Sequence, residues 1–164
     1  MNRKYTAEEY AASCEILREY FDHPAITTDV ILGFPGETEE EFATTKAFLE
    51  RIHFYEMHIF NYSKRQGTRA AVMEDQIPEE IKTVRSSELI ELGEKMSQEF
   101  REYYKNTTQE VLFEEKVTLN GEEVYVGYTK EYVKIAKASE DNLENVLYSG
   151  KISQAITPEI YRME

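Results

Sequence analysis

The stretch Asp29-Val-Ile-Leu-Gly-Phe-Pro-Gly-Glu-Thr38 decides the fold of the first half of this chain. It begins inside Ile26-Thr-Thr-Asp-Val-Ile-Leu32, a short and mostly apolar run of the kind buried in a parallel sheet. Gly33 to Thr38 is the turn that follows. Thr38 with Glu41 makes a capping box, and Phe42, Thr45, Leu49 and Ile52 carry the helical spacing onward. Glu56-Met-His-Ile-Phe60 then reads as a second strand. Upstream, Thr6 and Glu9 form another capping box, and Tyr10, Cys14, Leu17 and Phe21 recur at offsets of 4, 7 and 11, which places them on one helix face. Pro24 ends that helix. Helix, strand, helix, strand in this order predicts right-handed crossovers and a parallel sheet, with ligand groups at the carboxyl ends of the strands. Those ends are residues 33–38 and 61–68.

The rest of the chain changes character twice. From Pro78 to about Lys105 it is rich in Glu, Lys, Leu and Met, with Ile81, Val84, Leu92, Met96, Phe100 and Tyr103 near helical spacing. An unbroken helix there is about 40 Å long, enough to link two bodies. After Asn106 the period falls to 2. Val111 to Val117, the Asn120-Gly121 hairpin signal, Glu123 to Gly127 and Tyr132 to Ala136 read as short antiparallel strands, with more strand expected between Val146 and Ile156. Such strands close into a small barrel, which removes exposed edges. The expected organisation is α/β for 1–77, a linking helical segment for 78–105 and a small all-β barrel for 106–164.

Composition narrows the function classes. The chain has 164 residues, a net charge of −13, 41% hydrophobic residues and one cysteine. That is enough apolar material for a core. No apolar run reaches a membrane-spanning length, and the first ten residues lack the run of a signal peptide, so the expected compartment is the cytoplasm with no membrane partner. Cys14 alone excludes a disulfide framework within the chain and any site needing several of its thiolates. A strongly acidic chain attracts nucleic acid only through a local basic patch.

Three places hold residues suited to chemistry. Gly33 and Gly36 let backbone approach a ligand, the capped helix behind them offers free amides, and Asp29 is a charge in an apolar strand that requires a partner. The competing reading is a tight turn whose Asp29 is satisfied by nearby backbone. Phe60-Asn-Tyr-Ser-Lys-Arg-Gln-Gly-Thr-Arg69 contains no acid and supplies Lys64, Arg65 and Arg69, which suit a phosphate or a carboxylate unless they merely pair with surface acids. Cys14 reads as a small buried hydrophobe. His53 and His58 lack metal-ligand spacing, and Glu39 to Glu41 and Glu79-Glu80 complement helix dipoles.

Asn2 to Thr6, Thr28 to Thr38 and His58 to Thr68 resemble, in order and spacing, successive blocks of the radical SAM methylthiotransferases, above all the bacterial enzymes acting on threonylcarbamoyladenosine beside the tRNA anticodon. Val111 to Glu115 and Gly127 to Val133 resemble the TRAM domain that ends those enzymes. The resemblance implies the back half of a TIM-like radical SAM barrel followed by a TRAM barrel. It implies S-adenosylmethionine (SAM) as cofactor, with Arg3 at the methionyl carboxylate, Asp29 at the ribose, Ile31 against the adenine and Ser63 lending backbone to its edge. It implies 4Fe-4S iron-sulfur clusters in the full-length enzyme whose cysteine ligands are not in this chain, so the chain alone should be inactive. Lys64, Arg65 and Arg69 would steer the anticodon arm of tRNA. No metal ligand and no catalytic side chain is assigned within the chain. Two alternatives stay open: a methylthiotransferase acting on a ribosomal-protein aspartate, favoured by the acidity of residues 106–164, and a non-catalytic RNA- or protein-binding module. A half-barrel leaves a sheet edge exposed, which predicts self-association.

Overall fold

A computed structural model describes residues 4–164. The chain divides into two compact units, Met1–Ser97 and Gln98–Glu164, with the division falling inside a single helix.

In the first unit, α1 spans Ala7–Tyr20, β1 Thr27–Leu32, α2 Glu39–Ile52 and β2 Glu56–Asn61, and α3 begins at Glu79 and runs to Tyr103. Both expected capping boxes are formed. The Thr6 and Thr38 hydroxyls accept from the Glu9 and Glu41 amides, while those carboxylates accept from the cap amides. β1 and β2 pair in parallel, Thr27 opposite Glu56 through Leu32 opposite Asn61. Alternation along β1 sends Val30 and Leu32 into a core with Phe42, Leu49 and Ile52 of α2, Ala11 and Cys14 of α1, and Leu89, Leu92 and Met96 of α3. The other face of the sheet is exposed.

Two helix faces differ from those the spacing predicts. Of the expected α1 face, Cys14 is buried and Tyr10 packs against the core, but Leu17 and Phe21 are exposed and Ala11 is buried in addition, because two strands about 5 Å apart offer too narrow a surface to cover a whole helix. On α3, Ile81, Val84 and Tyr103 are exposed, while the buried stripe is Lys82, Arg85, Leu89, Leu92 and Met96.

The second unit holds β3 (Thr108–Leu119), β4 (Glu122–Tyr128), β5 (Lys134–Lys137), β6 (Val146–Ala155) and β7 (Ile160–Met163). They close into a barrel in the order β3-β4-β5-β7-β6. Asn120 and Gly121, both at positive φ, turn the β3–β4 hairpin. The β5–β7 pair is parallel and the others are antiparallel. Val111, Phe113, Val133, Ile135 and Ile152 fill the interior with no exposed surface. Tyr161 of β7 donates its hydroxyl to Glu102 Oε1 at 2.6 Å. Burial and that carboxylate push the phenol well above its ordinary range, and the same hydrogen bond holds Glu102 below the ordinary carboxylate range.

Candidate nucleoside and nucleic-acid site at the strand tips

Because the strands are parallel and in register, Asp29 lies opposite His58 and Ile31 opposite Phe60. All four project from the face that the helices leave open. Ile31 is 40% exposed and Phe60 52%, so two apolar side chains lie paired on the open face. The open face thus offers a carboxylate beside a flat apolar floor. Ser63 sits just past the end of β2. The Tyr62 amide still donates to Leu32 O at 2.8 Å, so the two strands run side by side up to the residue before Ser63. Ser63 lies three residues beyond the partner of Ile31, at most about 10 Å along the strand. Arg3 lies outside the described residues.

Lys64 and Arg65 follow in an exposed loop, and Arg69 opens a short 3-10 turn, Arg69–Val72. None of the three makes an ion pair among the described residues. The surface acids therefore leave this cationic loop uncompensated.

The glycine turn is held from beneath by a network that the spacing of motifs does not disclose. Glu37 Oε2 accepts from the Gly33 amide at 2.8 Å and from Arg85 Nη1 at 2.7 Å. Arg85, 5% exposed, also reaches Glu39 Oε2 at 3.1 Å and stacks over the Phe42 ring at 5.1 Å. Lys82, 4% exposed, donates from Nζ to Tyr62 O at 3.0 Å and to Glu79 at 2.8 Å. Its stem lies directly under Gly33, where a Cβ would fall 2.5 Å from Lys82 Cγ. The φ of +69° at Gly33 also favours glycine. Phe34 and Tyr62 meet edge to face at 5.3 Å, joining the two tips. The available signal for Lys82 and Arg85 is their place on the stripe of Leu89, Leu92 and Met96 at intervals of three and four.

Cys14 is buried in the core, where desolvation raises its thiol pKa. Among the described residues, no group of three His, Cys, Asp or Glu side chains is placed to hold a metal. With Cys14 its single cysteine, the chain lacks the several thiolates that an iron-sulfur cluster needs. The tip residues do fit a nucleoside, which needs a hydroxyl acceptor, an apolar floor and backbone groups.

Parallel strands ending in a glycine turn and a cationic loop, in one chain with a closed five-stranded barrel, define an α/β unit joined to an all-β module. No protein-family model matches the chain. It is 43% identical over 149 residues to the threonylcarbamoyladenosine tRNA methylthiotransferase MtaB of Bacillus subtilis, covering 90% of this chain and 33% of that protein. It is 43% identical over 130 residues to a tRNA-2-methylthio-N(6)-dimethylallyladenosine synthase of Acetivibrio thermocellus (79% of this chain, 27% of that protein). The corresponding synthase of Aquifex aeolicus is 46% identical over 122 residues (74% and 27%). The chain belongs to the methylthiotransferase family that its motifs resemble, and it spans a third or less of the length of these relatives.

Proposed function

We propose that this chain is the carboxyl-terminal part of a radical SAM tRNA methylthiotransferase, in which the strand tips bind SAM and the cationic loop meets RNA. The observation that carries the reading is the shared open face of Asp29 and Ile31, with Ser63 past the tip of the adjoining strand. Asp29 accepts hydrogen bonds from the ribose hydroxyls, Ile31 packs against the adenine and the Ser63 backbone meets the adenine edge. Arg3 is the matching residue for the methionyl carboxylate, as a guanidinium fork suits it. Bound SAM, with clusters held by cysteines outside this chain, supplies the radical and the sulfur-methylating chemistry. The chain's own residues bind, orient and exclude water, and alone they are inactive.

The barrel is read as a TRAM domain. Five strands closed on themselves are also the architecture of small oligonucleotide-binding barrels, which supports an RNA role. Lys64, Arg65 and Arg69 would contact phosphates of the anticodon arm, with threonylcarbamoyladenosine as the base acted on. The acidic barrel, with 6 Lys plus Arg against 11 Asp plus Glu from residue 106 onward, supports a second reading in which the substrate is a basic ribosomal protein. Both strands of the β1–β2 sheet are edge strands among the described residues, so the chain in isolation is expected to self-associate.

The test is calorimetric titration of SAM into the full-length protein carrying this chain, alongside Asp29→Ala. Loss of hydrogen bonds to a charged acceptor predicts roughly 10- to 100-fold weaker binding. Unchanged affinity in the variant removes Asp29 from the site. Titration with an anticodon stem-loop and with the ribosomal protein separates the two substrates, and affinity for the protein alone overturns the tRNA assignment.

A further inference from the structure

We propose that Lys82 and Arg85 of α3 are positioning residues for the cofactor site, fixing the two strand tips in their ligand-binding geometry. The inference rests on the reading of those tips as the nucleoside site. Lys82 donates to the carbonyl of Tyr62, the residue immediately before Ser63, while its stem fills the space beneath Gly33. One side chain thus sets the height of both tips. Arg85 works through Glu37, whose carboxylate takes the Gly33 amide two residues beyond Ile31.

Burial makes this arrangement specific. A lysine and an arginine at 4% and 5% exposure are costly to desolvate unless their partners are fixed, and hydrophobic residues would continue the stripe of Leu89, Leu92 and Met96 at lower cost. What the cations supply and an apolar pair would not is a directional hold on the Tyr62 carbonyl and the Glu37 carboxylate. Displacing a binding group by about 1 Å is enough to cost affinity or rate severely. Both side chains are buried, so neither is expected to touch ligand.

The experiment measures SAM affinity and thermal midpoint together in the full-length protein for Lys82→Met, Arg85→Lys and Leu89→Ala. Leu89, with no exposed surface, reports simple loss of core packing. Arg85→Lys keeps the charge and removes only the fork, so it is the gentler arm should Lys82→Met fail to fold. The expected result is affinity about tenfold weaker in the Lys82 and Arg85 variants, as for other groups that orient a binding shell, and within twofold of wild type for Leu89→Ala at an equal or larger fall in midpoint. Affinity that follows the midpoint equally in all three variants overturns the positioning role, as does unchanged affinity in Arg85→Lys. Asp29→Ala separates the two levels of inference. If it too leaves affinity unchanged, the nucleoside site itself is wrong; if it weakens binding while Lys82→Met and Arg85→Lys do not, only the positioning role fails.

Discussion

Replacing Gly33 by alanine tests the close approach of the glycine turn to α3. Two costs add. An L-residue held at φ +69° loses about 1–2 kcal/mol against the left-handed conformation. The new methyl also lands 2.5 Å from Lys82 Cγ and 2.9 Å from Cδ, so the stem must shift and its ammonium leaves the Tyr62 carbonyl. A lost hydrogen bond from a charged donor is about 1.5–3 kcal/mol, for a total of about 2.5–5 kcal/mol. Gly36 is the internal control. Its φ is +84° and nothing lies within 4 Å of the place its methyl would take, so Gly36→Ala should cost only the backbone share. Urea unfolding followed by the far-ultraviolet helix signal gives both values. A double-mutant cycle with Lys82→Ala completes the assay, since removing the stem should return Gly33→Ala to the cost of Gly36→Ala. Equal costs at Gly33 and Gly36 in the parent chain refute the reasoning, because they leave no contribution for Lys82.

In the barrel, Gly127→Ala places a methyl 2.1 Å from Leu112 O and 2.6 Å from Phe113 Cα, backbone atoms that cannot rotate away. It should cost more than the ~1–3 kcal/mol of ordinary overpacking and lower the thermal midpoint sharply. Tyr161→Phe removes the 2.6 Å hydrogen bond to Glu102 and should cost about 1 kcal/mol at neutral pH, since Glu102 is partly exposed. Because Glu102 is held below its ordinary value, its contribution is present above the unfolded carboxylate range and fades as pH falls through the depressed value. Wild type and variant melts should therefore converge in acid. If Lys64, Arg65 and Arg69 neutralise phosphates, log affinity for an anticodon stem-loop should fall with log salt at a slope of about −2 to −3, and each alanine substitution should reduce that slope by about 0.7–0.9. A slope unmoved by the substitutions would place the RNA elsewhere.

Local chemistry is legible in this sequence and tertiary competition is not. Thr6 with Glu9, Thr38 with Glu41 and Asn120-Gly121 act over four residues or fewer, so their hydrogen bonds and positive φ angles follow from residue type alone. β7 has no such local signature. Ile160–Met163 follows Pro158 closely, and its parallel partner β5 lies more than twenty residues earlier, a pairing no local period reports. The inner face of α3 departs from expectation for a clear reason. Apolarity draws attention to Ile81 and Val84, whereas geometry continues the stripe from Met96, Leu92 and Leu89 back through Arg85 and Lys82. Charged residues are read as solvent-facing because burying them unpaired is costly. Here the partners are Glu37, Glu39, Glu79 and a carbonyl, all supplied by the fold. For the site, the spacing of β1 already places Asp29 and Ile31 on one face. That this face is the exposed one depends on which side the helices cover.

The same buried cations bear on how a chain of net charge −13 presents a basic tip. Acids at 37, 39, 40, 41 and 79 fall in the glycine turn or in first helical turns, and Asp75 lies against the same turn, so together they set a negative field around it. Arg85 neutralises Glu37 and contacts Glu39, Lys82 contacts Glu79, and Glu41 is turned back onto its own cap amide. Glu39 and Glu79 are exposed, and through water the field of such acids is screened within about 8–10 Å at moderate salt. On the proposed reading, this pairing lowers but does not remove the negative field against which the loop cations hold a phosphate. Removing Arg85 would loosen the glycine turn and leave Glu37 and Glu39 without their guanidinium partner. On the proposed reading, one guanidinium then serves both the geometry of the cofactor site and the charge balance near the cationic loop.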